Sequence, residues 1–300
     1  MTVEHALGST TIEAAPTRVV TVGVTEHDTV LAVGVVPVGV TEWYGDQPFA
    51  TWPWAQDELG DAEPAVLTTD DGLDYERIAT LDPDLIIGTN AGLDTESFAL
   101  LSEIAPTIAH PAGAPLYFSP WDDQARLIGQ ALGKAPEMDA VIADIDAQFA
   151  AAADAHPEFA GVPVAFLQNA IYDGNAIAYQ DGLSTEFLTD LGFTIPAVLD
   201  DFESEGGQAY IPLEQLGVLD DADVLLWATE APSDRDALEA EPLYQQLEEV
   251  REGRLVFTDG VTAGAIYFTS PLSLPFVLEH LVPAMAATLA GDGPATIAST

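Results

Sequence analysis

Residues 135–157 read APEMDAVIADIDAQFAAAADAHP, and the organisation of the chain turns on them. Met138, Val141, Ile142, Ile145 and Phe149 fall at i, i+3, i+4, i+7 and i+11, one apolar stripe of a helix. Asp139, Asp144, Asp146 and Gln148 take the opposite side, and alanines fill the remainder at little entropic cost. Pro136 suits a first turn, and Pro157 marks the stop. At a rise of about 1.5 Å per residue, some 18 residues make a rod of roughly 27 Å. The rod lies near the midpoint of 300 residues, with strands and helices alternating on either side. This pattern predicts an α/β chain of two lobes: residues 1–134, a linking helix over 135–158, and residues 159–300.

Composition narrows the function. An apolar content of 48% is enough to fill two cores. Seven Lys+Arg stand against 50 Asp+Glu, a formal net charge of −43. Such a surface repels nucleic acid phosphates and anionic lipid headgroups, and it serves as a solvated coat for high salt or solubility. The absence of cysteine fits an extracytoplasmic chain without disulfides, and equally a cytosolic one. No apolar run reaches the roughly 20 residues of a membrane span. The opening MTVEHALGST has neither a basic region nor an apolar core, so it is not a signal peptide. For an exported chain, a leader and a lipid-anchoring cysteine would be expected upstream of Met1.

In the first half, 3–7 and 10–13 flank Gly8-Ser9 as a hairpin, and 18–23 (RVVTVG) reads as a buried strand. A helix over 26–33 ending at Gly34 and a strand over 35–40 complete a βαβ unit, which implies a parallel sheet. A long segment, 41–71, carries Trp43, Tyr44, Phe49, Trp52 and Trp54. Helices over 74–80, 95–104 and 121–132 then alternate with strands over 84–88 and 106–110. In the second half, strands are expected at 162–168, 176–179, 224–228 and 254–257. Helices are expected at 184–191, 213–218, 242–249 and 273–289, with a fraying tail from Gly291. The halves echo each other. Residues 74–87 resemble 212–226, matching Glu76 to Glu214, and 30–38 resemble 187–196.

Ligands of open α/β sheets bind beyond the carboxyl ends of the strands, and there the chain places its unusual side chains. In the first half these are 25–28 (TEHD), Trp43, Tyr44, Trp52, Trp54, Asn90, Tyr117 and Trp121; in the second, Asn169, Tyr172, Tyr179, Trp227 and 262–267. Stacked aromatics suit a large, partly apolar, planar or chelated ligand, although Trp227 fits a core position as well as a pocket. There is no phosphate-cradling loop, dinucleotide glycine fingerprint or nucleophile elbow. Glu26-His27-Asp28 reads as metal ligands, as an acid–base pair, or as first-turn residues favoured by the helix dipole. The five histidines show no ligand spacing. Arg18, Arg77, Arg126, Arg235, Arg251, Arg254 and Lys134 are the only fixed cations, and this scarcity favours a neutral or cationic ligand.

The order and spacing of these segments resemble the solute-binding proteins of iron-siderophore ABC importers, of an actinobacterial type. The likeness covers nearly the whole chain and rests on 18–23 with 34–39 (GVVPVG), 76–87 (ERIATLDPDLII), 121–133, 251–256, the final helix, and 41–46 with Trp52-Pro-Trp54. It implies two Rossmann-like lobes joined by one helix, a cleft-held ligand and small hinge motion. It also implies a glutamate on each lobe, Glu76 and Glu214, docking on arginines of the permease dimer. The expected function is binding and delivery of a ferric siderophore, hydroxamate-like rather than catecholate, by an extracytoplasmic, lipid-anchored, non-enzymatic monomer. Iron would arrive only as the chelate, with no intrinsic cofactor and no protein metal ligand. The expected wall is Trp43, Tyr44, Trp52, Trp54, Tyr117, Trp121 and Tyr172, with Asn90 and Asn169 as polar contacts. Alternatives are haem, cobalamin or a bare metal ion as ligand, or a metal-dependent enzyme using Glu26 and His27.

Overall fold

The computed structural model describes residues 1–69, 72–114, 116–117, 119–204 and 207–298. The expected 41–71 segment and the 117–121 aromatic run each touch undescribed positions, Asp70, Asp71 and Phe118. An antiparallel hairpin, β1 (Thr2–His5) and β2 (Gly8–Thr11), opens the chain in the register His5↔Gly8. Its turn is therefore Ala6-Leu7 and not Gly8-Ser9. Ala6 N–H donates to the His110 carbonyl at 2.9 Å, and Leu7 N–H reaches His5 Nδ1 at 3.3 Å.

The βαβ pattern follows. In order come β3 (Val19–Thr21), α1 (Glu26–Ala32), β4 (Gly39–Thr41), α2 (Gln56–Leu59), β5 (Ala65–Leu67), α3 (Tyr75–Thr80), β6 (Leu85–Ile87), α4 (Thr95–Ser102), β7 (Thr107–Ile108) and α5 (Trp121–Ala131). The strands form a parallel sheet in the order β5-β4-β3-β6-β7. Runs such as Val19-Val20-Thr21 and Leu85-Ile86-Ile87 are buried throughout, as strands covered on both faces must be. Ile78 and Leu101 cover one face with Val20 and Ile86, while Ile128, Met138 and Ile142 cover the other with Val19 and Ile87.

The predicted strut is α6 (Ala135–Ala155), 21 residues without a break. Its stripe is buried at Met138, Ile142, Ile145 and Phe149. The chain divides into two compact units along this helix: Met1–Ile145 with Ser270–Ser273, and Asp146–Thr269 with Leu274–Thr300.

The second unit contains β8 (Val164–Tyr172), β9 (Asn175–Ala178), α7 (Glu186–Thr189), β10 (Ala209–Pro212), β11 (Val224–Ala228), α8 (Pro232–Ala240), α9 (Glu248–Glu252), β12 (Leu255–Phe257), α10 (Gly260–Phe268), α11 (Ser273–Ala287, its first residue in the first unit) and β13 (Ala295–Thr296). The sheet order is β10-β9-β8-β11-β12-β13, parallel from β8 to β13, with β9 and β10 antiparallel. The internal echo is topological: β6 lies parallel to β3 as β11 lies parallel to β8. A helical turn precedes each, α3 in one case and the 3-10 stretch Leu213–Asp221 in the other. The second echo also pairs alike, Gly39 with Val20 and Thr194 with Pro163.

Three expectations need correction. The helix at 242–249 is a 3-10 turn, Tyr244–Gln246, followed by α9; Tyr244 turns into the core, and Leu247 is extended between them. The tail docks instead of fraying: β13 pairs with β12, and Ile297 is buried. Ser273–Asp292 is long and apolar enough to cross a membrane by length and composition alone. Its Val277, Leu281 and Met285 are buried at spacings of four, the pattern of a core helix.

Candidate ligand-binding site

In the first unit the loops after β3, β4, β6 and β7 lie at the carboxyl ends of the parallel strands. Trp43, 44% exposed, meets Tyr44 edge-on with ring centroids 4.9 Å apart. Tyr44 lies 5.2 Å from Trp52, and Trp52 stacks on Trp54 at 5.1 Å with 13° between planes. Exposure falls from Trp43 to Trp52, which is only 3% exposed, while Trp54 beyond it is half-buried. The ladder thus has an outer ring able to stack on a ligand and inner rings that hold it.

The inner end is anchored by charge. Trp54 Nε1–H donates to Asp28 Oδ2 at 2.7 Å, and the Ser270 hydroxyl donates to the same oxygen at 2.6 Å. Asp28 and His27 are 0% exposed and Glu26 is 1% exposed. His27 Nε2 sits 3.7 Å from Asp28 Oδ1. Burial lowers the His27 pKa, favouring neutral imidazole, and raises that of Asp28 against the pull of His27, Ser270 and Trp54. Glu26 Oε1 accepts the Asn90 N–H at 2.7 Å, while Oε2 is buried without a hydrogen-bond partner among the described residues. Burial pushes the Glu26 carboxyl up to about 7, opposed by the bond from Asn90. The carboxylate folds back over Gly23, where a Cβ would come within 2.1 Å of Oε1, so any side chain at this position would displace the carboxylate.

Glu26 and Asp28 do lie in the first turn of α1, as one of the sequence readings had it, but they and His27 are buried. Among the described residues no group of three His, Asp or Glu is placed to hold a metal ion.

Asn90 is fixed twice, through its N–H and through its amide Nδ2, which donates to Thr25 Oγ1 at 3.2 Å. Tyr117, 53% exposed, lays its hydroxyl against Gly92; a Cβ there would be 2.0 Å from the oxygen. Trp121 opens α5 half-buried and packs against the core that includes Ile128 and Met138.

In the second unit β8 carries the expected residues through a bulge between Gln168 and Tyr172. Asn169 has φ 47°, a conformation asparagine tolerates, and its Oδ1 is buried without a hydrogen-bond partner among the described residues. Tyr172 is 69% exposed near the hairpin tip. Gln168 Oε1 accepts from Tyr179 Oη at 3.3 Å and from Gln208 Nε2 at 2.9 Å, a polar group in which Gln208 went unread in the sequence. Trp227 is a core residue, edge-on to Tyr244 at 5.9 Å. Glu76 on α3 and Glu214 on the Leu213–Asp221 turn are both exposed, just upstream of β6 and β11.

The family model described as periplasmic binding protein matches residues 19–262. A periplasmic solute binding protein of Mycobacterium smegmatis str. MC2 155 is 48% identical, with a TM-score of 0.90 over 96% of this chain and 98% of that one. PiaA of Streptococcus pneumoniae TIGR4, solved in complex with ferrichrome, is 28% identical, with a TM-score of 0.81 over 97% and 99%. The probable siderophore-binding lipoprotein YfiY of Bacillus subtilis (strain 168) is 36% identical over 150 residues, 48% of this chain and 42% of that relative, less than half its length. On the breadth of the family match, this chain is a member of the periplasmic binding protein family.

Proposed function

We propose that this protein binds a ferric siderophore outside the cytoplasmic membrane and hands it to an ABC importer. The ligand is neutral or cationic, of the trihydroxamate type, and leaves chemically unchanged. Three lines support the reading: the PiaA complex with ferrichrome, the family, and the ringed loops at the strand ends.

The observation that carries the ligand class is where positive charge lies. No lysine or arginine occurs in 22–25, 42–55, 88–94 or 109–120 of the first unit, nor in 168–185, 229–231 or 258–269 of the second. Six of the seven cations are engaged elsewhere, and the seventh, Arg77, lies in the last turn of α3. Arg18 donates to the Asp82 carbonyl, Arg126 pairs with Asp122, Lys134 with Glu137, Arg235 with Glu239 and Arg254 with Glu249, while Arg251 reaches the Leu247 carbonyl. An anionic triscatecholate would therefore meet no guanidinium fork and a repulsive field of net charge −43.

On this reading Trp43, Tyr44, Tyr117 and Trp121 form the apolar wall of the first unit, with Trp52 and Trp54 supporting it and Asn90 as a polar contact; in the second unit Tyr172 and Asn169 serve as an aromatic and a polar contact. Glu76 and Glu214 dock on permease arginines. Iron stays on siderophore oxygens, the protein acts as a monomer, and a lipid anchor upstream of the present chain would hold it at the membrane.

Tryptophan fluorescence titrated with three ferric chelates tests the ligand class. A neutral and an amine-bearing cationic trihydroxamate should quench with micromolar or tighter affinity, and an anionic triscatecholate should bind at least about tenfold more weakly. Tighter binding of the triscatecholate, or no quenching by either hydroxamate, sinks the proposal.

A further inference from the structure

The triplet Glu26-His27-Asp28 has no role in the reading above, yet its three ionisable side chains are almost wholly buried at the start of one short helix. Removing such groups from water is costly unless their bonds compensate, so what they bond to is informative. Together they reach two strand-end loops and one remote segment. Glu26 takes the Asn90 N–H of the loop after β6. His27 meets the Ala50 backbone in the loop after β4. Asp28 gathers the Trp54 indole from that same loop and the Ser270 hydroxyl from a segment more than 200 residues away in sequence.

We infer that Glu26, His27 and Asp28 are positioning residues: they hold the candidate ligand wall of the first unit in shape without touching the ligand, and Asp28 sets the orientation of Trp54 and, through it, the aromatic ladder. The inference rests on the proposed wall. Asp28 Oδ2 fixes the Trp54 ring by its one polar atom. Trp54 fixes Trp52 by a 13° stack, Trp52 backs Tyr44, and Tyr44 supports the exposed Trp43. A ring platform held this way loses little side-chain entropy when a ligand stacks on it, which is where preorganisation raises affinity. A purely structural carboxylate would contribute to stability and leave the ligand contacts alone.

The test uses the whole chain and two readouts. In a 15N–1H spectrum the Trp54 indole resonance, assigned by its loss in Trp54→Phe, should be shifted downfield and protected from exchange by its bond to a carboxylate. Asp28→Ala should move it upfield and speed its exchange. It should also weaken a neutral ferric trihydroxamate about tenfold or more, the scale of losing a hydrogen bond to a charged group. Asp28→Asn retains a carbonyl acceptor at the Oδ2 position and should bring both readouts back to within about threefold of wild type. Should Asp28→Ala fail to fold, Trp54→Phe, which keeps an aromatic six-membered ring and removes the N–H donor together with the five-membered ring, should show at least the same loss of affinity. An unperturbed indole signal in Asp28→Ala, unchanged affinity in a folded Asp28→Ala or Trp54→Phe, or no recovery in Asp28→Asn overturns the inference. If wild type binds no trihydroxamate, the functional reading fails instead, and the indole signal still tests how Asp28 holds Trp54.

Discussion

At the scale of the residue, Glu26 makes the sharpest prediction, because its cost depends on pH. Its carboxyl titrates near 7 in the folded chain, against about 4.5 when solvated. Below pH 4.5 both states are protonated and nothing is lost. As pH rises the unfolded carboxyl ionises first while the folded one keeps its proton, so stability falls until the folded group ionises too. The full deficit above pH 7 is about 3 kcal/mol for a shift of this size. Glu26→Gln keeps an acceptor for the Asn90 N–H and cannot ionise. Its melting temperature should exceed that of wild type at pH 8, with the gain shrinking toward zero near pH 4. A gain independent of pH would show that the carboxyl is not the source. This residue was also the hardest to read from sequence. Charged residues at the start of a helix are ordinarily solvated, and nothing local distinguishes Glu26-His27-Asp28 from that case except Gly23, whose missing Cβ leaves room for the carboxylate. The partners, Asn90 and Ser270, are remote in sequence. Trp43 and Tyr117 are exposed in loops that follow strands, the placement their sequence positions led one to expect. Trp52 and Trp54 show the limit: sequence placed them in the same loop, but packing buries Trp52 and leaves Trp54 half-buried.

At the scale of the element, legibility tracked the strength of the local pattern. The stripe of α6 and the runs of β3, β6 and β11 were read nearly to the residue, since buried apolar periodicity dictates both element and face, whereas β8 was expected to end at Gln168 and runs on to Tyr172. α8 was missed because its polar sequence, PSDRDALEA, buries only Leu238. α10 was missed because GVTAGAIYF begins with glycine and carries another. The false helix at 242–249 arose from Leu243 and Leu247, whose spacing of four mimics a helical face. Packing made the two unlike: Leu243 is exposed and Leu247 is buried. The stripe on α6 can be tested at adjacent positions. Ile142 is buried among Met138, Ile128 and Leu85, while Val141 only borders that core. Ile142→Ala should cost about 2–4 kcal/mol in urea unfolding and Val141→Ala about 1 kcal/mol. Equal costs would mean that the helix packs on a different face. In β8, Asn169→Val should cost about 1–2 kcal/mol through its positive φ, and Asn169→Gly close to nothing. Similar costs for both would point to a lost side-chain contact in place of backbone strain.

At the scale of the whole molecule, charge makes three predictions. If Glu76 and Glu214 dock on the importer, Glu76→Ala with Glu214→Ala should leave chelate affinity within about twofold while lowering import in cells at least tenfold, since charge-assisted contacts to a partner are lost and none within the binding wall. Loss of affinity itself would assign those glutamates another role. The second prediction concerns the excess of 50 acidic over 7 basic side chains. Most of these carboxylates have no cation to pair with, so the folded chain gathers like charges that the expanded chain can spread apart, and screening should stabilise it. The screening length falls from about 10 Å at 0.1 M salt to about 3 Å at 1 M. The melting temperature should therefore climb steeply over the first molar of sodium chloride, while sucrose, which leaves charge unscreened, reproduces only the part due to solute exclusion. The same field acts on the ligand. Association of a cationic ferric chelate should slow as salt rises, whereas a neutral chelate of equal size should bind at a nearly constant rate. Were both rates flat, the acidic coat would have no part in drawing the ligand in and would act on stability alone. Were the melting temperature flat as well, its carboxylates would have to be neutralised by something other than salt.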